Sequence, residues 1–288
     1  MSKIKFMADS ACDISKEDEK KYDIKVLCFP ITVGEKSFYD RDMNIKEYYD
    51  LIMSSPDLPK HSQLTPMMYK ECYEQYRKEG YSDVIYTAIA SKGSNTINSA
   101  KLAREQFYEE NPDAKESMSI RILDSGNYTG TIGYPLIQAA IKAENGASAD
   151  EVEGYLTEWY SKAEVHFGTF SLEFVKKSGR VSSAAGFVGE VLGLRPIICI
   201  KQGVSTVEAK VRGDKAVVPK LADMVCDRII PDSPYVVMEG YDPVYTDEIT
   251  KELTKRLGYP PEMSFDIGGV IAANCGPKTV AVAFKGKD

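Results

Sequence analysis

Histidine is nearly absent, with His61 and His166 the only two in 288 residues. A catalytic triad or metal centre needing imidazole would have to use one of them, and neither has carboxylates or thiols at ligand spacing, so no metal is expected. The six cysteines, Cys12, Cys28, Cys72, Cys199, Cys226 and Cys275, form no C-x-x-C pair. That argues against a disulfide framework or a zinc site and for reduced thiols in a cytoplasm. Also missing are G-x-G-x-x-G, a Walker loop, G-x-S-x-G and H-E-x-x-H, the common dinucleotide, nucleotide, hydrolase and metalloprotease signatures. No run reaches the roughly 20 apolar residues of a membrane span, and Met1 to Lys5 leads straight into a strand, so neither export nor anchoring is expected. Positive charge is scarce too: 36 Lys and Arg face 43 Asp and Glu, and no basic run is dense enough to reverse the net charge of −7. Nucleic acid and anionic membranes are therefore poor partners.

What is present is a globular α/β chain. Its 43% hydrophobic residues supply a core, and its length suits two ordinary domains. Val84 to Ala90 is a short β-branched run, Ser91 to Thr96 a polar turn, and Ile97 to about Glu110 a helix with an apolar stripe. Strand and helix also alternate at Ile4 to Ala8 with Ser15 to Tyr22, and Ser119 to Leu123 with Tyr128 to Glu144. Asn44 and Thr65 precede predicted helices, and Pro66 suits a first helical position. Three polar strand ends, Asp9-Ser10, Ser91 to Thr96 and Asp124-Ser125, should lie on one rim of a parallel sheet, where ligands gather. From about Val165 hairpins mix with helices. Pro196 to Val211 reads as a hairpin turning at Gln202-Gly203, Ser183 to Gly193 as a small-residue helix, and Ile267 to Ala273 and Thr279 to Phe284 as two final strands. The predicted fold is an N-terminal parallel α/β domain, 1–164, and a C-terminal α+β domain with an antiparallel sheet, 165–288.

Few residues carry chemistry. Ser94, Asn95 and Thr96 sit where a helix begins, and unpaired backbone N–H groups there seat a small anion; the plainer reading is that Ser94 or Asn95 simply caps the helix. Arg180 is a cation for such an anion, or part of a solvated run with Lys176 and Lys177. Asn274 lies between two predicted strands, as a ligand donor or as a turn residue. His166 begins a predicted buried strand and reads as structural, whereas His61 sits in a polar loop beside Ser62 and reads equally as site or loop.

Together these residues resemble the signature of the DegV family. The likeness rests on Asp9-Ser10 with Asp13, His61-Ser62-Gln63, Ser91 to Thr96, Asp124-Ser125, Ser178-Gly179-Arg180-Val181-Ser182, Leu194-Arg195-Pro196-Ile197 and Asn274-Cys275-Gly276-Pro277, in family order. It implies an N-terminal domain with a Rossmann-like parallel sheet, a C-terminal domain with an antiparallel sheet, and a long-chain fatty acid in a tunnel between them. It further implies a non-catalytic, acyl-binding subunit that presents the carboxylate to a separate fatty acid kinase subunit and carries the acyl phosphate onward. By position Ser94 resembles the serine that bonds the carboxylate, Ser62 or His61 the loop group opposite it, and Arg180 the basic residue near the head group. Three positions depart from the pattern: His61 stands for threonine, Asn95 for glycine and Asn274 for histidine. Asparagine still bonds a carboxylate but moves no proton.

The reading is a cytoplasmic fatty-acid-binding protein without cofactor, its carboxylate held by Ser62, Ser94, His61, Asn95 and Asn274, with Arg180 nearby for head group or partner. The small-residue stretch Ala184 to Leu194 offers a slot. Two rivals stand: a serine hydrolase or acyltransferase using Ser94 or Ser62 with His61, and a sensor of another small carboxylate.

Overall fold

The protein is described from a computed structural model covering residues 3–170, 172–181 and 193–287. The chain opens with β1 (Ile4–Asp9), α1 (Lys16–Lys21) and β2 (Ile24–Leu27). It then builds a small antiparallel sheet from β3 (Pro30–Val33), β4 (Lys36–Tyr39) and, beyond α2 (Ile45–Ser54), the two-residue β5 (Lys60–His61). There follow α3 (Pro66–Lys78), β6 (Asp83–Ala88), α4 (Thr96–Glu110), α5 (Ala114–Ser117), β7 (Ser119–Asp124), α6 (Gly130–Glu144) and α7 (Ala149–Lys162). The second half runs β8 (Ala163–Thr169), α8 (Leu172–Ser178), β9 (Leu194–Lys201), β10 (Val204–Arg212), α9 (Val217–Arg228) and β11 (Tyr235–Glu239). It closes with α10 (Pro243–Leu257), β12 (Met263–Asp266), α11 (Gly269–Cys275) and β13 (Thr279–Lys285).

Local chemistry explains many of these boundaries. The Asn44 side chain accepts from the Lys46 N–H at 2.8 Å, Pro66 occupies the first turn of α3, and Ser148 with Glu151 forms a capping box on α7. Gln202 and Gly203 both take positive φ, the primed turn that a two-residue hairpin with right-handed twist requires.

Two sheets divide the chain. The first, ordered β2-β1-β6-β7, is wholly parallel. The second, ordered β10-β9-β8-β13-β11-β12, is antiparallel except for its β11–β12 pair. One apolar cluster runs continuously from the first sheet to the inner face of the second, and another lies on the outer face under α9 and α10. Helix α6 packs against both units. Its Gly133 lies so close to the Cys12 carbonyl and the Phe265 ring that a β-carbon there would collide with both.

Two expectations are corrected. Ile267 to Ala273 is not a strand: residues 269–275 form α11, and the parallel partner of β11 is Met263–Asp266. A short buried apolar run has no periodicity that separates strand from helix, which accounts for the error. Lys60–His61 is not loop but a strand, with His61 opposite Ile31. The expected helix at 183–193 and the small-residue slot lie almost entirely outside the described residues. No helix among the described residues is long and apolar enough to cross a membrane.

Candidate functional site

The site is organised at the C-terminal ends of the parallel strands. Asp9, the last residue of β1, accepts from the Ile89 N–H at 2.8 Å and from the Tyr86 hydroxyl at 2.9 Å, and Tyr86 in turn meets the Tyr69 hydroxyl at 2.8 Å. Asp124, ending β7, accepts from the Ser91 and Gly126 N–H groups at 3.1 and 2.9 Å. The three polar strand ends therefore meet on one rim, and the two aspartates fix the turn between β6 and α4 by its backbone. Asp9 is fully buried, and burial outweighs the hydrogen bonds it accepts, raising its carboxyl to about 6. The folded state thus keeps a proton that the unfolded chain has lost, and stability falls as pH rises from about 4 to about 6. Asp9→Asn is expected to remove this fall. Urea titrations should show its stability relative to the wild type improving by on the order of 2 kcal/mol across that window, and a constant difference would place the titration elsewhere.

Beyond the turn lies a cavity between the two sheet units, enclosing about 750 Å³ of atom-free space with the solvent at its mouth included. Its walls are apolar. Val165 and Phe167 of β8, Ile200 of β9 and Ala281 of β13 come from the inner face of the second sheet, Val270 and Ile271 from α11, and Val175 from α8. Alternation along the strands explains this: residues of one parity face the cavity, and those of the other, Glu164 and His166, face away from it. From the first unit come Ile89, Gly93, Tyr128 and Thr129. The Tyr128 hydroxyl occupies the place where a β-carbon on residue 93 would sit, so glycine there is a matter of space. Thr129, a buried wall residue, has φ 56° and ψ −140°, a conformation that non-glycine residues rarely adopt.

Four residues, His61, Ser178, Arg180 and Asn274, line both this cavity and an adjoining polar groove that holds Lys60, Lys177 and Asp57. Asn274, in the last turn of α11, donates to the Val270 carbonyl at 2.7 Å and approaches His61 Nε2 at 3.4 Å. At its other end α11 meets two buried carboxyls, since Asp13 lies against Gly268 and Asp40 against Gly269. Burial raises both carboxyls. His61 is half-buried, and desolvation, followed by the Arg180 charge, lowers its imidazole to about 4. Arg180 is exposed and donates through Nη1 to the Ser178 carbonyl at 2.7 Å.

Of the residues expected from sequence, His61, Asn274 and Arg180 thus share one wall. Ser62 is exposed and Ser94 half-buried, each one step along the chain from a wall residue, His61 and Gly93. The Ser94 hydroxyl donates to Thr96 Oγ1 at 2.9 Å and accepts from the Thr96 N–H at 3.3 Å. Asn95 is the N-cap of α4, but its side chain bonds Asn98 rather than a helix N–H. Tyr128 and Ser178 complete the polar end. Tyr128 was not singled out from sequence, although the nearby Asp124-Ser125-Gly126 loop pointed to it.

His166 is corrected in one respect, because it does have potential ligands. Strand pairing sets Cys199 opposite it, and Glu164 lies two residues back on the same face, with donor atoms all within 4.8 Å. These ligands are already engaged: Arg228 holds both Glu164 oxygens at 2.6 and 2.7 Å and Lys201 adds a third contact at 2.9 Å.

The sequence and the fold have counterparts. Residues 3–287 match the family described as "Uncharacterised protein, DegV family". The chain belongs to the DegV family. A DegV domain-containing protein of Clostridium acetobutylicum is 30% identical, the match covering 99% of each chain. A protein of Thermotoga maritima named fatty acid-binding protein is 29% identical over 96% of each chain. The crystal structure of a stearic acid-binding protein from Eubacterium ventriosum superposes with a TM-score of 0.87 at 25% identity, covering 98% of this DegV chain and 97% of that one.

Proposed function

We propose that this DegV protein binds a long-chain fatty acid, with the tail in the cavity between an N-terminal unit of residues 1–164 and a C-terminal unit of 165–288. The observation that carries the reading is the junction itself, where an apolar cavity meets a polar groove across four shared residues, His61, Ser178, Arg180 and Asn274. An amphiphile with one small acidic head matches that division of surfaces, and two similar proteins are named for fatty acid binding. Burying roughly 14 methylenes at about 0.8 kcal/mol each contributes on the order of 11 kcal/mol before ordering costs, so the head group needs only to orient. Neutral donors suffice for that. We assign the carboxylate to the wall of His61 and Asn274, with Asn274, Ser62, Ser94 and Asn95 as its donors and Arg180 on the groove side.

On this reading the chain binds and does not turn over its ligand. The Ser94 hydroxyl is engaged by Thr96, while His61 Nε2 faces Asn274, which supports a binder over a serine hydrolase. Presenting the carboxylate through the groove to a separate ATP-using subunit is the role that follows. A cytoplasmic setting agrees with six free cysteines.

Denaturing extraction of the purified protein followed by mass spectrometry is expected to return about one fatty acid per chain. Its absence, together with ester turnover that disappears in His61→Ala, would establish the hydrolase reading instead.

A further inference from the structure

We propose that the seat takes its carboxylic acid together with one proton, shared between the ligand carboxyl and the His61 imidazole. This rests on the fatty-acid reading above and adds the chemical state in which the ligand is held. Asn274 fixes the starting point. Its side-chain nitrogen donates to the Val270 carbonyl, an assignment that only the NH₂ end of the amide can fill, and the same nitrogen faces His61 Nε2. An amide nitrogen donates and never accepts, so the Nε2 turned toward it is the unprotonated lone pair of a neutral ring. The ring is held there by the pairing of His61 with Ile31 and by the edge of Phe29, centroids 5.8 Å apart.

The charged and titratable groups around the ring leave it neutral. Arg180, from the chain after α8, lowers it; Lys60 on its own strand and Lys177 on the groove wall are cations as well. Tyr128 and the Cys275 thiol of α11 are both raised by burial, the thiol to about 12, and stay uncharged. Asp57 is the acid lining the groove, and no acid lines the cavity among the described residues. A carboxylate has acceptors only, and the lone pair of Nε2 is also an acceptor. Bringing them together in a partly desolvated wall repels unless a proton stands between them; we assign that proton to solvent, and a shift of the ring's own proton from Nδ1 to Nε2, which adds none, is the alternative that binding without uptake would show. Whichever atom carries that proton, the complex holds one more than the separated protein and ligand, so affinity falls as pH rises above the free-state values.

The test is calorimetric titration of the delipidated protein with laurate between pH 5.5 and 8.5, in buffers of different ionisation enthalpy. Close to one proton taken up per laurate is expected near neutral pH, with affinity weakening by about tenfold per pH unit until the pKa of the complex is passed. His61→Gln should bind with a flatter profile and a much smaller uptake. Binding without proton uptake, at an affinity independent of pH, overturns the proposal and leaves the fatty-acid reading in place, with Arg180 alone neutralising the head group. Full uptake in His61→Gln also overturns it, because the proton then belongs to the ligand by itself. No laurate binding at any pH removes the fatty-acid reading first.

Discussion

Ala281→Phe is expected to weaken fatty-acid binding by on the order of 200-fold while leaving the protein as stable as before. Ala281 lies in the middle of β13, opposite Phe167 on one side and Met238 on the other, and its side chain points into the cavity. An aromatic ring there takes space that the tail requires. If four methylenes lose their places, the loss is about 3 kcal/mol, which converts to that fold-change in Kd. The sign of the stability change separates two descriptions of the same residues. In a closely packed core, adding a ring to a buried alanine forces neighbours off their rotamers at about 1–3 kcal/mol. In a slot kept open for a ligand, the ring fills existing space and adds apolar contact. Fluorescent fatty-acid displacement would give the first quantity and urea unfolding of delipidated protein the second. A variant that binds normally, or one that is strongly destabilised, shows that the space beside Ala281 is not the tail's.

The capping residues and the parallel α/β half were legible in the sequence because their signals are local. Asn44 marks a helix start through its bond to the Lys46 N–H, Pro66 another through its fixed φ, and Gln202-Gly203 marks its own turn. The α11 segment was not legible, since Gly269–Cys275 is short, buried and without periodicity. The lining of the cavity was not legible for a different reason. The polar rim pointed to loops that border the cavity, but which of two adjacent residues reaches a wall depends on long-range pairing. His61, not Ser62, sits opposite Ile31, and Gly93, not Ser94, sits under the Tyr128 hydroxyl. Chain order contains neither relation. Family likeness supplied the region of the site, and the structure shows which side chains line it.

The same long-range logic hides a buried ion cluster on the second sheet. Glu164 is fully buried on the outer face of the second sheet, away from the cavity, with His166 Nε2 at 3.1 Å, Arg228 in two bonds and Lys201 in a third. Burial alone would raise its carboxyl, but hydrogen bonds from His166, Arg228 and Lys201 outweigh that and hold it well below the ordinary glutamate value. A lowered folded pKa means stability that is present above the unfolded value of about 4.3 and lost as pH falls through the folded one, so at neutral pH it is fully in force. Glu164→Gln keeps the shape and removes the charge, leaving Arg228 and Lys201 facing an amide. Breaking a fully buried pair from one side costs about 3–5 kcal/mol, but Arg228 and Lys201 keep about a third of their side chains in water, so urea unfolding at pH 7 should show a smaller loss, on the order of 2 kcal/mol. The difference from wild type should shrink in acid, as protonation takes from the wild type what the variant already lacks. Fatty-acid affinity, measured where both proteins are folded, is expected to change little, because β8 presents Glu164 and Val165 to opposite faces of the sheet. A stability loss below 1 kcal/mol would mean that the two cations find water as readily as they found Glu164, and that the cluster is a screened surface pair rather than a buried one.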